Sequence, residues 1–290
     1  MKSNPPDHGR SEGLRDEGGP PDELAAALDR ARPRLGRLAS TVRYFETIGS
    51  TNDEAAKPPA PSLQPPEGLV VVADEQTSGR GRRGHTWWSP AGSGLYVSVV
   101  LMPAAARVDP ARAITLLTLA AGVALAEGIE QATRLRVDLK WPNDLHVTRR
   151  KLGGILAESS GAGAATDTVV VGYGINVRAT AFPPELGDRA TSLESELGRA
   201  VDRHLLLAET LSALSQRYED LLAGRFDAIL DAWRRLAPAA AGARVAWTTK
   251  TEAGTVTVAG VTAGIDDLGA LLVRVGDKVE RIVSGEVAWL

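Results

Sequence analysis

Residues 79–84 read Gly-Arg-Gly-Arg-Arg-Gly. Glycine lets a backbone approach a ligand closely. Arginine presents a planar, permanently charged fork that matches carboxylate and phosphate. The stretch suits a loop that closes over a polyanion. Gln76 and Trp87 flank it, and three more polar clusters lie elsewhere. They are Ser50-Thr51-Asn52, then Lys140-Trp141-Pro142-Asn143-Asp144 with Lys151-Leu152-Gly153-Gly154, then Gly172-Tyr173-Gly174-Ile175-Asn176. These clusters are rich in hydrogen-bond donors and poor in acid–base groups. His8, His85, His146 and His204 are scattered, with no matching nucleophile and no metal-ligand spacing. The chain has 0 cysteines, which excludes disulfides, thiolate metal sites and a thiol nucleophile. Such an inventory binds and positions carboxylate and phosphate, and electrostatic stabilisation dominates any catalysis it performs.

The arginine–glycine run formally fits G-x-G-x-x-G and follows a strand-like stretch. A dinucleotide fingerprint requires a helix opening at the third glycine. Here His85-Thr86-Trp87-Trp88-Ser89-Pro90 follows, which does not start a helix. No Gly-Lys-Ser/Thr follows either, so a P-loop is excluded. An arginine-rich solvated turn is the plain alternative.

The elements that position these residues can be read from periodicity and punctuation. Strands are expected at 42–45, 69–73, 95–101, 135–140, 152–158 and 168–171. Helices are expected at 22–37, interrupted near Pro33, from the Ser50-Thr51-Asn52 caps through Lys57, and at 109–131, 202–222 and 226–236. Asp109 caps the third, with Ile114, Leu117, Ala121 and Leu125 on one face. Leu205, Ala208, Leu211, Leu214, Tyr218 and Leu221 line the 202–222 helix. Residues 58–66, with five prolines, form a loop. From residue 243 five short strands separated by turns indicate a small barrel. All four polar clusters are expected at strand ends or in loops. The fold class is α+β: a mixed central sheet with packed helices plus a C-terminal β-barrel. Residues 1–38 form a disordered tail and short helix, 39–238 the large domain and 239–290 the barrel.

Composition bounds the rest. The 290 residues carry a net charge of -3 and are 43% hydrophobic. That supports a sizeable core and disfavours a dedicated nucleic-acid binder. The first 19 residues lack an apolar signal-peptide core, and no stretch of about 18 consecutive apolar residues is present. A soluble, cytoplasmic protein with no membrane partner is expected.

Taken in order, Ser-Thr-Asn, Gln-x-x-Gly-Arg-Gly-Arg-Arg-Gly-x-x-Trp, Lys-Trp-Pro-Asn-Asp, Lys-Leu-x-Gly-Ile-Leu-x-Glu and Gly-x-Gly-Ile-Asn resemble the biotin protein ligases. The resemblance runs from about Tyr44 onward. It implies a biotin/lipoate ligase-like catalytic domain with an SH3-like barrel, and a two-step activity. Biotin and ATP form biotinyl-5'-adenylate, and biotin then passes to a lysine of a biotin carboxyl carrier domain. It further implies roles for residues. Ser50, Thr51, Asn52, Gln76, Gly79, Arg80, Gly81, Arg82, Lys151, Gly153 and Gly154 would meet biotin. Arg82, Arg83, Trp87, Lys140, Asn143, Gly174 and Asn176 would meet ATP or the adenylate. Lys151, with Arg80, would be catalytic, and Asp144 would help place magnesium. For Ser50 and Thr51 helix capping remains open beside binding, for Trp87 a core role, and for Asp144 a structural turn. The loop at 79–84 would close over the mixed anhydride and shield it from water.

Three departures from the family pattern stand out. Too few residues precede position 39 for a helix-turn-helix, so no DNA partner is expected. His85 stands where arginine is common, and no arginine follows the Gly285-Glu286 pair. A homodimer is possible within the family. Alternatives of other classes are a lipoate or octanoate ligase or transferase, and a biotin-sensing regulator without turnover.

Overall fold

Runs of β-branched residues that bury both faces build the centre of the molecule. The computed structural model describes residues 19–58, 66–160, 168–179, 182–251 and 254–290. Seven strands form a mixed sheet: β1 (Thr41–Ile48), β2 (Leu69–Gln76), β3 (Gly94–Leu101), β4 (Asp138–Lys140), β5 (Asp144–Val147), β6 (Arg150–Ser160) and β7 (Thr168–Asn176). Their order is β1-β2-β3-β7-β6-β5-β4. Only β1 and β2 run parallel, with α2 (Thr51–Ala55) in the connection between them.

One face of this sheet packs on helices α1 (Asp22–Leu35), α3 (Pro110–Thr133), α5 (Arg203–Leu222) and α6 (Phe226–Leu236). Val169, Val171, Tyr173 and Ile175 of β7 point to that side and are buried in its core. The opposite face carries a small apolar cluster, Phe45, Leu69, Val71, Val100 and Val170, under Ala55 of α2. Beyond that cluster it carries the polar site.

A second sheet follows α6. It contains β8 (Ala241–Thr251), β9 (Gly254–Ile265), β10 (Leu271–Val275), β11 (Lys278–Ile282) and β12 (Val287–Trp289) in the order β11-β10-β9-β8-β12. All its pairings are antiparallel, and its inward residues Val245, Leu271, Val273 and Val287 join the main core. The expected α+β class with an SH3-like C-terminal sheet is what the chain adopts.

The differences from expectation are local. α1 runs through Pro33, whose missing N–H would serve only the last turn, so the helix closes two residues later. Asp109 does cap α3 by accepting from the Arg112 N–H at 2.9 Å, but Ile114 and Leu205 are exposed rather than core. α3 is long and apolar enough to cross a membrane by length and composition, although Thr115, Thr118 and Glu127 break its apolar run. Here 72% of that window is buried inside the protein. Strand 135–140 shortens to β4, and β5 was not anticipated. A further short helix, α4 (Leu193–Leu197), was also unanticipated. β7 extends through Asn176, so the Gly172–Asn176 cluster is strand and not loop. The expected tail at 1–18 and most of the proline loop, 59–65, lie outside the described residues.

Candidate active site

The site is built on one cross-strand row. Tyr96 of β3, Gly174 of β7, Gly154 of β6, Asp144 of β5 and Lys140 of β4 are successive register partners. Residues opposite one another in a sheet share a face. The two central glycines therefore leave a floor without side chains, bounded on one side by Asp144 and Lys140. The next row, Ser98, Gly172 and Leu156, extends that floor.

Close approach explains the glycines. A Cβ on Gly174 would sit 2.3 Å from the Trp87 Nε1, and one on Gly172 would sit 2.0 Å from the Asn52 Oδ1. Trp87 thus roofs Gly174. Its buried indole N–H has no acceptor among the described residues, which is unusual for a buried donor.

Lys151 reaches this floor through an irregularity. Asp144 pairs with Gly154 and Leu145 with Gly153, but His146 pairs with Lys151, so Leu152 is a bulge. Bulges re-aim side chains, and this one puts Lys151 on the same face as Gly154, Asp144 and His146. The Lys151 Nζ lies 2.7 Å from the Asp144 Oδ1 and 5.7 Å from the centre of the Trp87 ring. Burial alone would push the Asp144 carboxyl up; the nearby His146 ring, 3.9 Å away, and the Lys151 ammonium outweigh it and hold the carboxyl below its ordinary range. Lys140 is pushed down, chiefly by burial.

The arginines divide by role. Arg80 binds Glu158 through two bonds of 3.0 and 2.6 Å and meets Asp53 at 2.8 Å. Its fork is satisfied by protein carboxylates, so the expectation that Arg80 acts directly on the reacting groups is not what the structure supports. Arg82 donates weakly, at 3.3 and 3.4 Å, to the Asn143 Oδ1 and the Gly285 carbonyl. Burial and the adjacent Arg83 push its pKa down, as expected of a cation short of a counter-charge. The loop around them is a small hairpin. Arg80 bridges to Thr86, the Gly81 N–H donates to the His85 carbonyl at 2.6 Å, and the Trp87 N–H donates to the Gly79 carbonyl at 2.9 Å. Arg83 takes a left-handed φ of 58° at its tip.

At the other end of the floor, Gln76 anchors the start of α2. Its Oε1 accepts from the Thr51 N–H at 2.9 Å and the Thr51 hydroxyl at 3.1 Å. Its Nε2 donates to the Ser89 hydroxyl at 3.0 Å, leaving one amide hydrogen uncommitted. Ser50 occupies the N-cap position yet makes no side-chain capping bond. Asn52 differs from expectation. It donates to the Glu158 Oε2 at 2.7 Å and the Leu156 carbonyl at 3.3 Å, and accepts from the Ser98 hydroxyl at 2.6 Å. It is a buried brace for the site rather than a free ligand contact. Asn143 likewise donates to the Ile155 carbonyl at 2.7 Å, and Asn176 to the Thr191 carbonyl at 3.0 Å. The latter bond ties down the segment beside Lys151, whose carbonyl accepts from the Thr191 N–H at 2.9 Å.

Asp144 fits a magnesium ligand poorly. One oxygen is held by an ammonium, the other faces His146 at 3.9 Å, and the described residues hold no cluster of three metal-ligating side chains. Sequence reasoning missed His146, Glu158, Ser98 and Trp289. Only Glu158 carried a signal, as the acid closing Lys-Leu-x-Gly-Ile-Leu-x-Glu.

Comparison with known proteins bears on the same residues. Residues 44–176 match the biotin/lipoate A/B protein ligase family. The chain is 36% identical over 241 residues to the biotin–[acetyl-CoA-carboxylase] ligase of Paracoccus denitrificans, covering 82% of this chain and 96% of that one. It is 35% identical over 269 residues to the bifunctional ligase/repressor BirA of Bacillus subtilis, covering 92% of this chain and 79% of the relative. The solved biotin protein ligase from Aquifex aeolicus, in complex with biotin and ATP, superposes with a TM-score of 0.73 at 27% identity, covering 87% of this chain and 99% of that one. The likeness extends well beyond the motifs to almost the whole chain, and the chain belongs to the biotin protein ligase family.

Proposed function

We propose that the protein is an ATP-dependent biotin–[acetyl-CoA-carboxylase] ligase. A biotin carboxylate oxygen bonds to the α-phosphorus of ATP, and the bond from that phosphorus to the β-phosphate bridging oxygen breaks. Biotinyl-5'-adenylate and pyrophosphate result. The amine of a carrier-domain lysine then bonds to the acyl carbon, the acyl–phosphate bond breaks, AMP leaves and the amine gives up a proton.

The observation that carries this reading is the glycine floor with Lys151 held over it. The first step brings two anions together. At about 4 Å in a surface-like dielectric they repel by about 4 kcal/mol. The Lys151 ammonium, poised by Asp144 at 2.7 Å, lies where it can offset that repulsion. Arg82, Arg83 and Lys140 add positive charge for the phosphates. The unpaired Trp87 N–H and the ring it belongs to serve the adenylate, while Ser50, Thr51 and the spare Gln76 hydrogen serve the ureido group. Arg80 anchors the loop through Glu158. Magnesium travels with the ATP phosphates rather than in a protein cage, and no step is assigned to it. The acceptor is a carboxyl carrier domain, as the names of the relatives suggest.

Biotin-dependent exchange of labelled pyrophosphate into ATP tests the reading, and its absence with the wild-type chain would reject it. Lys151→Ala should lower the exchange rate about a hundredfold or more in a chain that still melts cooperatively, at a lower temperature because Asp144 loses its ammonium partner.

A further inference from the structure

β12 is an edge strand of the second sheet and pairs with β8 through Val287, Ala288 and Trp289. Trp289 reaches across to the first sheet. Its ring stands edge-on to His146, with centroids 4.9 Å apart at 65°. The Lys140 Nζ lies 4.8 Å from the ring centre and the Arg149 guanidinium 5.4 Å. Both distances are inside the range of about 6 Å over which an aromatic face attracts a cation.

The three partners occupy β4, β5 and the β5–β6 turn. Those pieces carry Lys140 and Asp144, the register neighbours of Gly154, and lead straight into Lys151. The turn needs holding, because Thr148 and Arg149 both take left-handed φ values, 49° and 66°. Residues with a Cβ adopt that conformation only where surroundings enforce it. Lys140 needs holding as well. It is half-buried, Asp144 and Glu286 attract it and Lys151 repels it. An aromatic face accepts its ammonium without neutralising it, so the charge stays available to an anion.

We propose that Trp289 is a positioning residue for the nucleotide. It keeps the Lys140 ammonium aimed into the site, without touching substrate. The inference rests on Lys140 meeting the ATP phosphates, as argued above. The residues assigned to the ureido group, Ser50, Thr51 and Gln76, make no contact with Trp289. Its loss therefore acts on ATP and spares biotin. Plain packing is the rival account: Trp289 also covers a small cavity lined by Leu139, Lys140, Trp141, Val245 and Val287. Any large apolar side chain would satisfy that role.

Trp289→Phe and Trp289→Leu in the full chain separate the two. Leucine keeps an apolar side chain, smaller and with no ring face, and phenylalanine keeps a ring with a weaker face. Exchange kinetics should show KM for ATP raised about two- to threefold in the phenylalanine variant and fivefold or more in the leucine variant. KM for biotin should stay within about twofold of wild type in both, since uniform loss of binding to one substrate leaves the other alone. An unchanged KM for ATP in a folded leucine variant overturns the proposal, as does an equal rise for ATP and biotin. If the leucine variant does not fold, Trp289→Phe decides alone by the same two readings. A wild-type chain with no exchange would reject the ligase reading itself. A normal wild type with a flat Trp–Phe–Leu series rejects only the role of Trp289.

Discussion

At the residue scale the site sorts its cations by what already holds them. Arg80 is spent on Glu158 and Asp53, Lys151 is held by Asp144, and Arg82 and Lys140 are depressed by burial. A cation with a depressed pKa is one for which an arriving anion brings the largest gain. Lys140 gives a test with a definite sign. Burial favours its neutral form, so the free enzyme loses that charge at a lower pH than an ordinary lysine, whose pKa is about 10.4. The profile of kcat/KM for ATP reports the free enzyme. It should fall on the alkaline side at a lower pH than an ordinary lysine would set. Lys140→Arg, which does not titrate in that range, should shift or abolish that limb. The same limb in both proteins would assign it to another group.

At the scale of elements, the glycines of β6 and β7 show what the sequence does and does not disclose. The Lys-Leu-x-Gly and Gly-x-Gly-Ile-Asn motifs were legible as a site, and Lys151 with them. Residues 152–158 were rightly read as strand; only Gly172–Asn176 was misread, because glycines and an asparagine ordinarily punctuate strands. Here Val169, Val171, Tyr173 and Ile175 keep the strand period on the helix side while the glycines clear the other face. Asn52 and Asn176 were legible as polar and functional, but only tertiary contacts reveal that their bonding is spent on the protein. His146 and Trp289 left no local signal, since their pairing joins β5 to β12 across 143 residues. The floor makes a graded prediction about stability. Gly172→Ala and Gly174→Ala force contact with Asn52 and the Trp87 indole and should each cost about 1–3 kcal/mol. Gly154→Ala meets first the Lys151 Cε, at 3.4 Å and on a flexible chain, and should cost under about 1 kcal/mol. Urea denaturation midpoints measure all three; a Gly154→Ala loss equal to that of Gly174→Ala would contradict the close-approach account.

At the scale of the whole molecule, the two sheets share one core. Trp141, beside the polar Asn143 and Asp144, turns its indole N–H away from the site to donate to the Gly269 carbonyl at 2.9 Å, and Arg112 donates to the Asp267 carbonyl at 3.1 Å. The turn that receives them is stiff, because Asp266 accepts the Leu268 and Ala270 N–H groups at 2.9 and 2.8 Å and pairs with Arg281. Val245, Leu271, Val273 and Val287 continue the apolar core of the large sheet. Units joined by a shared core and buried hydrogen bonds unfold together. Calorimetry of the full chain should therefore show a single transition. Trp141→Phe keeps the ring and leaves the Gly269 carbonyl without its donor, which costs about 1–3 kcal/mol. At about 2–4 °C per kcal/mol for a chain of this size, the midpoint should drop by several degrees while the transition stays single. Two separated transitions in the wild type would mean that the second sheet is an independent appendage. In that case neither the Arg82 contact with Gly285 nor the grip of Trp289 on β4 and β5 would be rigid enough to organise the site.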